Sequence, residues 1–144
     1  MLAVQGLYLY EVRNDCTVDE VLQFDWLSED ERLEISDPTF QFAQLMIRGT
    51  LEHLAEIDTT IESYLIRWDI DRIARVDLSI LRLSIYALLF QQDIPEKVTI
   101  HEAVLLAQEL SGDRAYSFIN GILDTCVKDR RKRGAEHDST EKRE

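Results

Sequence analysis

Apolar residues cover nearly the whole circumference of one predicted helix, over about residues 70–91. They recur at the three- and four-residue spacings of an α-helix: Ile73, Val76, Ile80, Leu81, Leu83, Ile85, Leu88 and Leu89. A helix that is apolar on most sides needs other elements around it to exclude water. The segment therefore predicts the buried centre of an all-α bundle.

Start and stop signals predict further helices on both sides of this one. Capping boxes, in which Ser or Thr precedes Glu by three residues, occur at residues 17–20, 28–31 and 99–102. Three aspartates mark other predicted starts, and one glycine marks a predicted end: Asp37 (followed by Pro38), Asp58, Asp69 and Gly112. We expect a single compact bundle of about seven helices over residues 1–127. Residues 128–144 form a basic and polar tail without an apolar stripe, which we expect to be disordered.

Length and cysteine content fit one domain of a reduced, cytosolic protein. The 144 residues suffice for one folded core. No apolar run approaches the roughly 20 residues that span a bilayer, and the N-terminus lacks the basic start of a signal peptide. Cys16 and Cys126 are isolated from each other and from any histidine pair. We therefore expect a cytoplasmic protein without a structural zinc or a membrane segment.

Charge is distributed unevenly along the chain. The net charge is −12, and residues 1–63 hold 14 acidic but only 3 basic side chains. Residues 64–127 hold 9 acidic and 6 basic ones, whereas residues 128–144 hold 5 acidic and 7 basic ones, including KDRRKR. Because non-specific nucleic-acid affinity comes from neutralised phosphates, the acidic total argues against it, but a local basic face remains compatible with these counts.

No pattern of catalytic or metal-ligating residues is present. His53, His101 and His137 have no partner at ligand spacing, because Leu105 stands where an HExxH motif needs its second histidine. The serines lack a GxSxG context, and the glycines are too scattered to form a phosphate-binding loop. We expect a non-enzymatic protein without catalytic residues, metal or cofactor.

The densest basic feature within the expected bundle consists of Arg67, Arg72, Arg75 and Arg82. One interpretation is a solvated helix face with scattered ion pairs, and the other is an edge that contacts phosphates. Tyr64 precedes Arg67 by one helical turn, so a ring and a guanidinium can face the same way, as in proteins that hold single-stranded RNA. Gln5 and Tyr8 have the same relation in the first helix.

Asn120 and Gly121 lie inside the last predicted helix, where glycine costs about 1 kcal/mol relative to alanine. We interpret Gly121 as a site of close helix packing, with Asn120 bonding a neighbouring backbone.

Several ordered blocks of sequence resemble the NusB family of bacterial transcription antitermination factors. The blocks are AVQGLY at residues 3–8, RWDIDRIARVDLSILRLSIYALL at 67–89, IPEKVTIHEAVLLAQEL at 94–110 and FINGILD at 118–124. They follow the family's order with similar gaps, so the resemblance covers roughly residues 3–126.

The resemblance implies an all-helical fold of two packed subdomains. It also implies binding of boxA-type single-stranded RNA in nascent ribosomal transcripts, jointly with NusE, a small-subunit ribosomal protein, within the antitermination complex of RNA polymerase. The implied RNA-facing residues are Gln5, Tyr8, Tyr64, Arg67, Arg114, Ser117 and Phe118. The implied NusE-facing residues are Arg75, Arg82 and Tyr86. Similar proteins are monomers or homodimers.

The chain departs from the family pattern at two places. Met1 and Leu2 stand where the family usually has an arginine-rich segment, so either the true start lies upstream or RNA binding is weak. Ala87 replaces a frequent glutamate, whereas Arg114 adds a cation in a stretch that is often acidic. Two alternatives stay open: a protein-only helical adaptor with a weakened RNA surface, and an RNA-modifying enzyme related to cytosine methyltransferases that carry a similar domain.

Overall fold

The computed structural model describes residues 1–66 and 69–143, together with their side chains except at 113 and 134–143. Within these ranges it contains eight α-helices and a 3-10 turn at Ile70–Arg72. The helices are α1 (Leu2–Val12), α2 (Val18–Leu22), α3 (Glu29–Leu33), α4 (Asp37–Glu52), α5 (Leu54–Ser63), α6 (Arg75–Phe90), α7 (Glu96–Leu110) and α8 (Asp113–Arg143). In these same ranges, no helix is both long and apolar enough to cross a lipid bilayer.

Helix α6 is the buried centre of the fold, as its apolar circumference predicts. It packs against α1, α4 and α5 and also against α7 and α8. Ile80, Leu81 and Ile85 are fully buried, and Leu78 is 1% exposed. The expected all-α bundle of two packed helical groups is confirmed, because α1, α4 and α5 as well as α7 and α8 contact α6, and the buried apolar residues form one core.

A glycine lets α4 and α6 approach closely. The backbone at Gly49 lies directly under the ring of Tyr86, and a Cβ atom built at Gly49 would overlap the Tyr86 hydroxyl. Tyr86 is consequently only 5% exposed, and its ring stacks against His53 and Phe90. Its hydroxyl accepts a hydrogen bond from Gln91 Nε2 at 3.0 Å.

Local capping signals identify some helix starts correctly. The Thr17 hydroxyl accepts the Glu20 N–H at 3.2 Å, and Ser28 and Glu31 form a complete capping box. Gly112 ends α7 as expected: its φ is +108°, and its N–H donates to the carbonyl oxygen of Ala107 at 2.9 Å. These signals act within a few residues of chain, which explains why the sequence alone locates them.

Other expected starts were wrong, because tertiary burial or a neighbouring residue sets the boundary. Helix α4 is capped by Ser36 rather than by Asp37, and α5 begins at Leu54 rather than at Asp58. Helix α7 begins at Glu96 directly after Pro95. The capping box expected at residues 99–102 therefore lies inside α7, where Thr99 is 8% exposed.

The start of α6 was also misplaced. Asp69 was expected to cap a helix that begins at residue 70, but its side chain makes no capping bond, and only a 3-10 turn follows it. The backbone is extended at Ile73 and Ala74, and α6 begins at Arg75. Ile73 is 7% exposed, so this interruption lets its side chain enter the core before the helix begins.

Helix α8 continues past residue 128, where disorder was expected to begin. Ion pairs along it join Lys128 to Asp124 at 3.0 Å and Arg133 to Asp129 at 3.4 Å. On the adjacent helix, Glu96 lies 3.0 Å from Arg131 and also pairs with Arg130, which donates to the carbonyl oxygen of Leu88. Charged residues are good helix formers when oppositely charged partners lie one turn apart, so the helix needs no apolar stripe over residues 128–133.

Candidate nucleic-acid interface

An open groove of about 610 Å³ lies between the segment that follows α5 and the first half of α8. We call it the Tyr64–Phe118 groove. Its lining residues are Tyr64, Leu65, Ile66, Phe118, Gly121, Ile122 and Thr125. The fold thus brings two predicted RNA-facing aromatic residues, which are far apart in sequence, to the same surface depression.

Tyr64 is held in place by a bond to α8. Its hydroxyl donates to Asp129 Oδ2 at 3.0 Å, while Asp129 also pairs with Arg133. Burial, together with the negative charge of Asp129, raises the pKa of the Tyr64 hydroxyl. The hydroxyl therefore stays protonated at neutral pH, and the bond fixes the ring at the wall of the groove.

Phe118 and Ile66 give the groove an apolar surface that is open to solvent. Phe118 is 37% exposed and Ile66 is 94% exposed. A partly exposed ring at a groove has a free face on which a planar ligand can stack, and base–aromatic stacking is a common means of holding single-stranded nucleic acid.

The interpretation of Gly121 as a helix-packing site is wrong. A Cβ atom built on Gly121 meets no atom of the described structure within 4 Å, and Asn120 beside it is exposed. Gly121 instead forms part of the groove surface.

Arg114 and Ser117 lie on α8 just before Phe118, and both are exposed. Arg114 precedes Phe118 by four residues, about one helical turn, so its guanidinium and the Phe118 ring belong to the same side of α8. Arg67 lies outside the described residues, so its predicted RNA contact stays a prediction.

Gln5 and Tyr8 lie on α1 and do not line the Tyr64–Phe118 groove. Gln5 is exposed at a second groove of about 660 Å³, which residues of α1, α4, α6 and α7 help to line. Tyr8, one turn further along α1, is 39% exposed. Their RNA contact stays a prediction that the groove geometry does not by itself support.

Arg82, one of the predicted partner-facing residues, is engaged inside the protein. Its Nε and a terminal nitrogen donate to the two carboxylate oxygens of Asp58, both at 2.9 Å, and its other terminal nitrogen donates to Glu11 at 2.8 Å. Arg75 donates to the second Glu11 oxygen at 2.9 Å. Burial lowers the pKa of Arg82, but the bonds to Asp58 and Glu11 outweigh it, so the pKa is raised.

This ionic cluster, formed by Glu11, Asp58, Arg75 and Arg82, joins α1, α5 and α6. The Arg82 side chain is only 11% exposed, whereas that of Arg75 is 44% exposed. Together with the burial of Tyr86, this placement leaves Arg75 as the most accessible of the three predicted partner-facing residues. A partner contact through Arg82 or Tyr86 stays a prediction, since both side chains are engaged in intramolecular contacts.

Sequence reasoning did not assign the remaining residues of the groove, namely Leu65, Ile66, Ile122 and Thr125, to a functional surface. Leu65 and Ile66 directly follow Tyr64, whereas Ile122 and Thr125 lie one and two turns beyond Phe118 on the same helix. These spacings were visible in the sequence, but apolar residues at helical spacing also predict a buried core. Only the tertiary structure distinguishes the residues that line the groove from those of the core.

Its architecture and site define the protein as an all-helical binding module with an aromatic surface groove. The profile of the NusB family matches residues 1–128. The transcription antitermination protein NusB of Treponema pallidum is 43% identical over 128 residues, which cover 89% of each chain. That of Geobacter sulfurreducens is 53% identical over 83 residues, covering 58% of this chain and 60% of that protein.

Solved structures agree with the sequence comparisons. T. maritima NusB has a TM-score of 0.79 at 35% identity, covering 88% of this chain and 86% of that one. The fold is also shared, with a TM-score of 0.77 at 23% identity, by a chain from a complex of the antitermination factors NusB and NusE with double-stranded RNA, covering 89% of this chain and 92% of that one. The chain belongs to the NusB family. The relatives reported above are named as transcription antitermination proteins, which agrees with the expectation of a non-enzymatic protein.

Proposed function

We propose that this protein is a transcription antitermination factor that binds boxA-type single-stranded RNA in nascent ribosomal transcripts together with NusE. The observation that carries the proposal is the Tyr64–Phe118 groove in a member of the NusB family. A fixed tyrosine, a partly exposed phenylalanine and an exposed arginine one turn away provide stacking surface and positive charge on one side of α8.

The charge distribution implies that NusE contributes to affinity. The chain carries a net charge of −12, and several of its arginines are paired with carboxylates: Arg75, Arg82, Arg130, Arg131 and Arg133. RNA affinity grows with the number of phosphates that cations neutralise. We therefore infer weak binding by the protein alone and tighter binding in a complex with NusE, within the cytoplasmic antitermination complex of RNA polymerase. A homodimer whose interface covers the groove would mask this RNA-facing surface.

Fluorescence anisotropy with a labelled single-stranded boxA-type RNA tests the proposal, with and without NusE. Phe118→Ala should remove a stacking contribution of about 1–3 kcal/mol. Leu45→Ala is the control, because Leu45 is a 51% exposed apolar residue that lines neither this groove nor the one beside Gln5. Affinity should also fall as salt rises, in proportion to the phosphates contacted. Equal losses, or no losses, in the two variants would remove Phe118 from the interface.

The intramolecular pairing of most of the described arginines favours one second candidate, an adaptor that binds NusE without RNA. In that case NusE should bind with the same affinity whether or not RNA is present. Tighter RNA binding by the NusE complex than by either protein separately would exclude this candidate.

A further inference from the structure

We infer that the second surface groove is a docking site for an amphipathic helix with basic flanks, supplied by a protein partner other than NusE. The groove has a volume of about 660 Å³, and we call it the Phe42–Val98 groove after two exposed residues that line it. It shares no lining residue with the Tyr64–Phe118 groove. The inference therefore goes beyond the proposed RNA-binding function.

The groove exists because α4 and α7 both pack on α6 but scarcely pack on each other. Most of the buried residues that line it have small side chains: Ala3, Ala43, Ser84, Ala87 and Ala103. The distance between two packed helices depends on the size of the side chains at their contact. A helix that docks here can therefore approach α6 closely.

The lining residues of α4 and α7 follow helical spacing. On α4 they are Thr39, Phe42, Ala43 and Met46, and on α7 they are Val98, Thr99, Glu102, Ala103 and Leu106. At 1.5 Å per residue, the α7 wall is about 12 Å long, or about two helical turns. This length matches a bound helix that uses residues at i, i+3 or i+4, and i+7 as its anchors.

Apolar side chains of this groove are open to solvent. Phe42 is 52% exposed, Val98 is 50% exposed and Met1 is 44% exposed. An apolar surface bordered by polar residues is typical of a protein interaction site.

The charged side chains of the groove are acidic. Its described lining residues include Glu31, Glu34 and Glu102 but no Lys or Arg. Glu34 and Glu102 are exposed, and neither forms an ion pair within the described part of the chain. Lysine or arginine residues that flank the apolar face of a partner helix would complement these carboxylates.

This charge distribution decides between the candidate occupants. RNA is disfavoured, because the carboxylates would face its phosphates. A second copy of the chain is disfavoured as well, since its net charge is −12 and a symmetric contact would bring two sets of these carboxylates together. The predicted NusE-facing residues Arg75, Arg82 and Tyr86 do not line the groove. A basic amphipathic helix of a further protein matches both the apolar lining and the charge.

Fluorescence anisotropy with two labelled synthetic peptides and the full chain tests this inference. Each peptide has about 15 residues, with leucines at i, i+3, i+4 and i+7, and the two differ only in carrying lysines or glutamates beside the leucines. The lysine peptide should bind at least about tenfold more tightly than the glutamate peptide at low salt, and the ratio should fall as salt rises.

Two truncations locate the bound peptide. Phe42→Ala should weaken binding of the lysine peptide at least about fivefold, the effect of truncating an anchoring aromatic residue. Leu45→Ala is the control and should change it less than about twofold, because Leu45 is 51% exposed but lies outside the groove. Both side chains are about half exposed, so the two variants should have similar melting temperatures.

A pair of double variants tests the role of charge. Glu34→Lys combined with Glu102→Lys should reduce the preference for the lysine peptide to less than about twofold. Glu52→Lys combined with Glu62→Lys changes the net charge equally at exposed positions outside the groove, and should leave the preference at least about tenfold.

Several outcomes overturn the inference. Absence of saturable binding by the lysine peptide, or equal losses in Phe42→Ala and Leu45→Ala, removes a helix from the groove. Equal affinity for the two peptides contradicts recognition by charge. Release of the bound lysine peptide by NusE makes NusE the occupant, and release by single-stranded RNA makes RNA the occupant. A dimer of the unchanged protein that Phe42→Ala dissociates, measured by analytical ultracentrifugation, makes a second copy the occupant.

Discussion

Replacing Arg82 with methionine tests whether the ionic cluster stabilises the packing of α1 and α5 against the central helix α6. The change keeps much of the apolar stem but removes three charged hydrogen bonds, two to Asp58 and one to Glu11. Removing one partner of a buried ion pair costs about 3–5 kcal/mol, because the other charge stays buried and unpaired. The side chains of Glu11 and Asp58 retain 22% and 24% exposure, and Glu11 keeps Arg75. We therefore expect Arg82→Met to lower the free energy of unfolding by about 2–4 kcal/mol.

Urea unfolding monitored by far-ultraviolet circular dichroism measures this loss. Arg75→Met is the matched control: Arg75 binds the same Glu11 but is 44% exposed, so its loss should cost less than about 1 kcal/mol. Adding Asp58→Asn to Arg82→Met should restore part of the stability, because it removes the carboxylate charge that has lost its partner Arg82. Similar midpoints for the Arg82→Met and Arg75→Met proteins would refute the reasoning, as would a further loss on adding Asp58→Asn.

Three further predictions concern single positions. Gly49→Ala should destabilise the protein by about 1–3 kcal/mol through overlap with Tyr86, and an unchanged urea midpoint would contradict the close packing of α4 and α6. Tyr64→Phe should cost about 1 kcal/mol at pH near 8 by removing the bond to Asp129. Because folding raises the pKa of Tyr64, the stability that its hydroxyl adds is complete below about pH 10 and declines as the pH rises further. Equal differences in the free energy of unfolding between the two proteins at pH near 8 and near 11 would argue against this bond. Gly112→Ala should cost about 1–3 kcal/mol, since φ at this residue is +108°, and calorimetry would detect the lower melting temperature.

Asp58 illustrates the limit of reading a sequence locally. As an isolated aspartate before an apolar stretch it predicted the start of a helix, but the structure places it within α5 with its carboxylate on Arg82. Thr99 shows the same effect, since a residue with the sequence context of a cap lies buried inside α7. The tertiary structure determines the role of each side chain, through the ion pair with Arg82 for Asp58 and through burial for Thr99, and no local pattern records either.

The candidate site was predictable in part. Tyr64 and Phe118 were assigned to one RNA-facing surface through the resemblance to a known family, and the structure places both at one groove. The assignment of Gly121 to helix packing was wrong, because the sequence shows that a glycine is present but not whether anything lies above it. Arg75 and Arg82 left two interpretations open, and their bonds to Glu11 favour the ion-paired one.

The order of the helices and the central position of α6 were determined by the sequence alone, because apolar periodicity and end signals act over one or two turns of chain. Only the tertiary structure decided at which residues the helices begin and end. It also decided that Arg82 pairs with Asp58 and Glu11 and that no atom packs over Gly121. Each of these depends on atoms that the fold brings together from distant parts of the chain, so their energies are absent from any local stretch of residues.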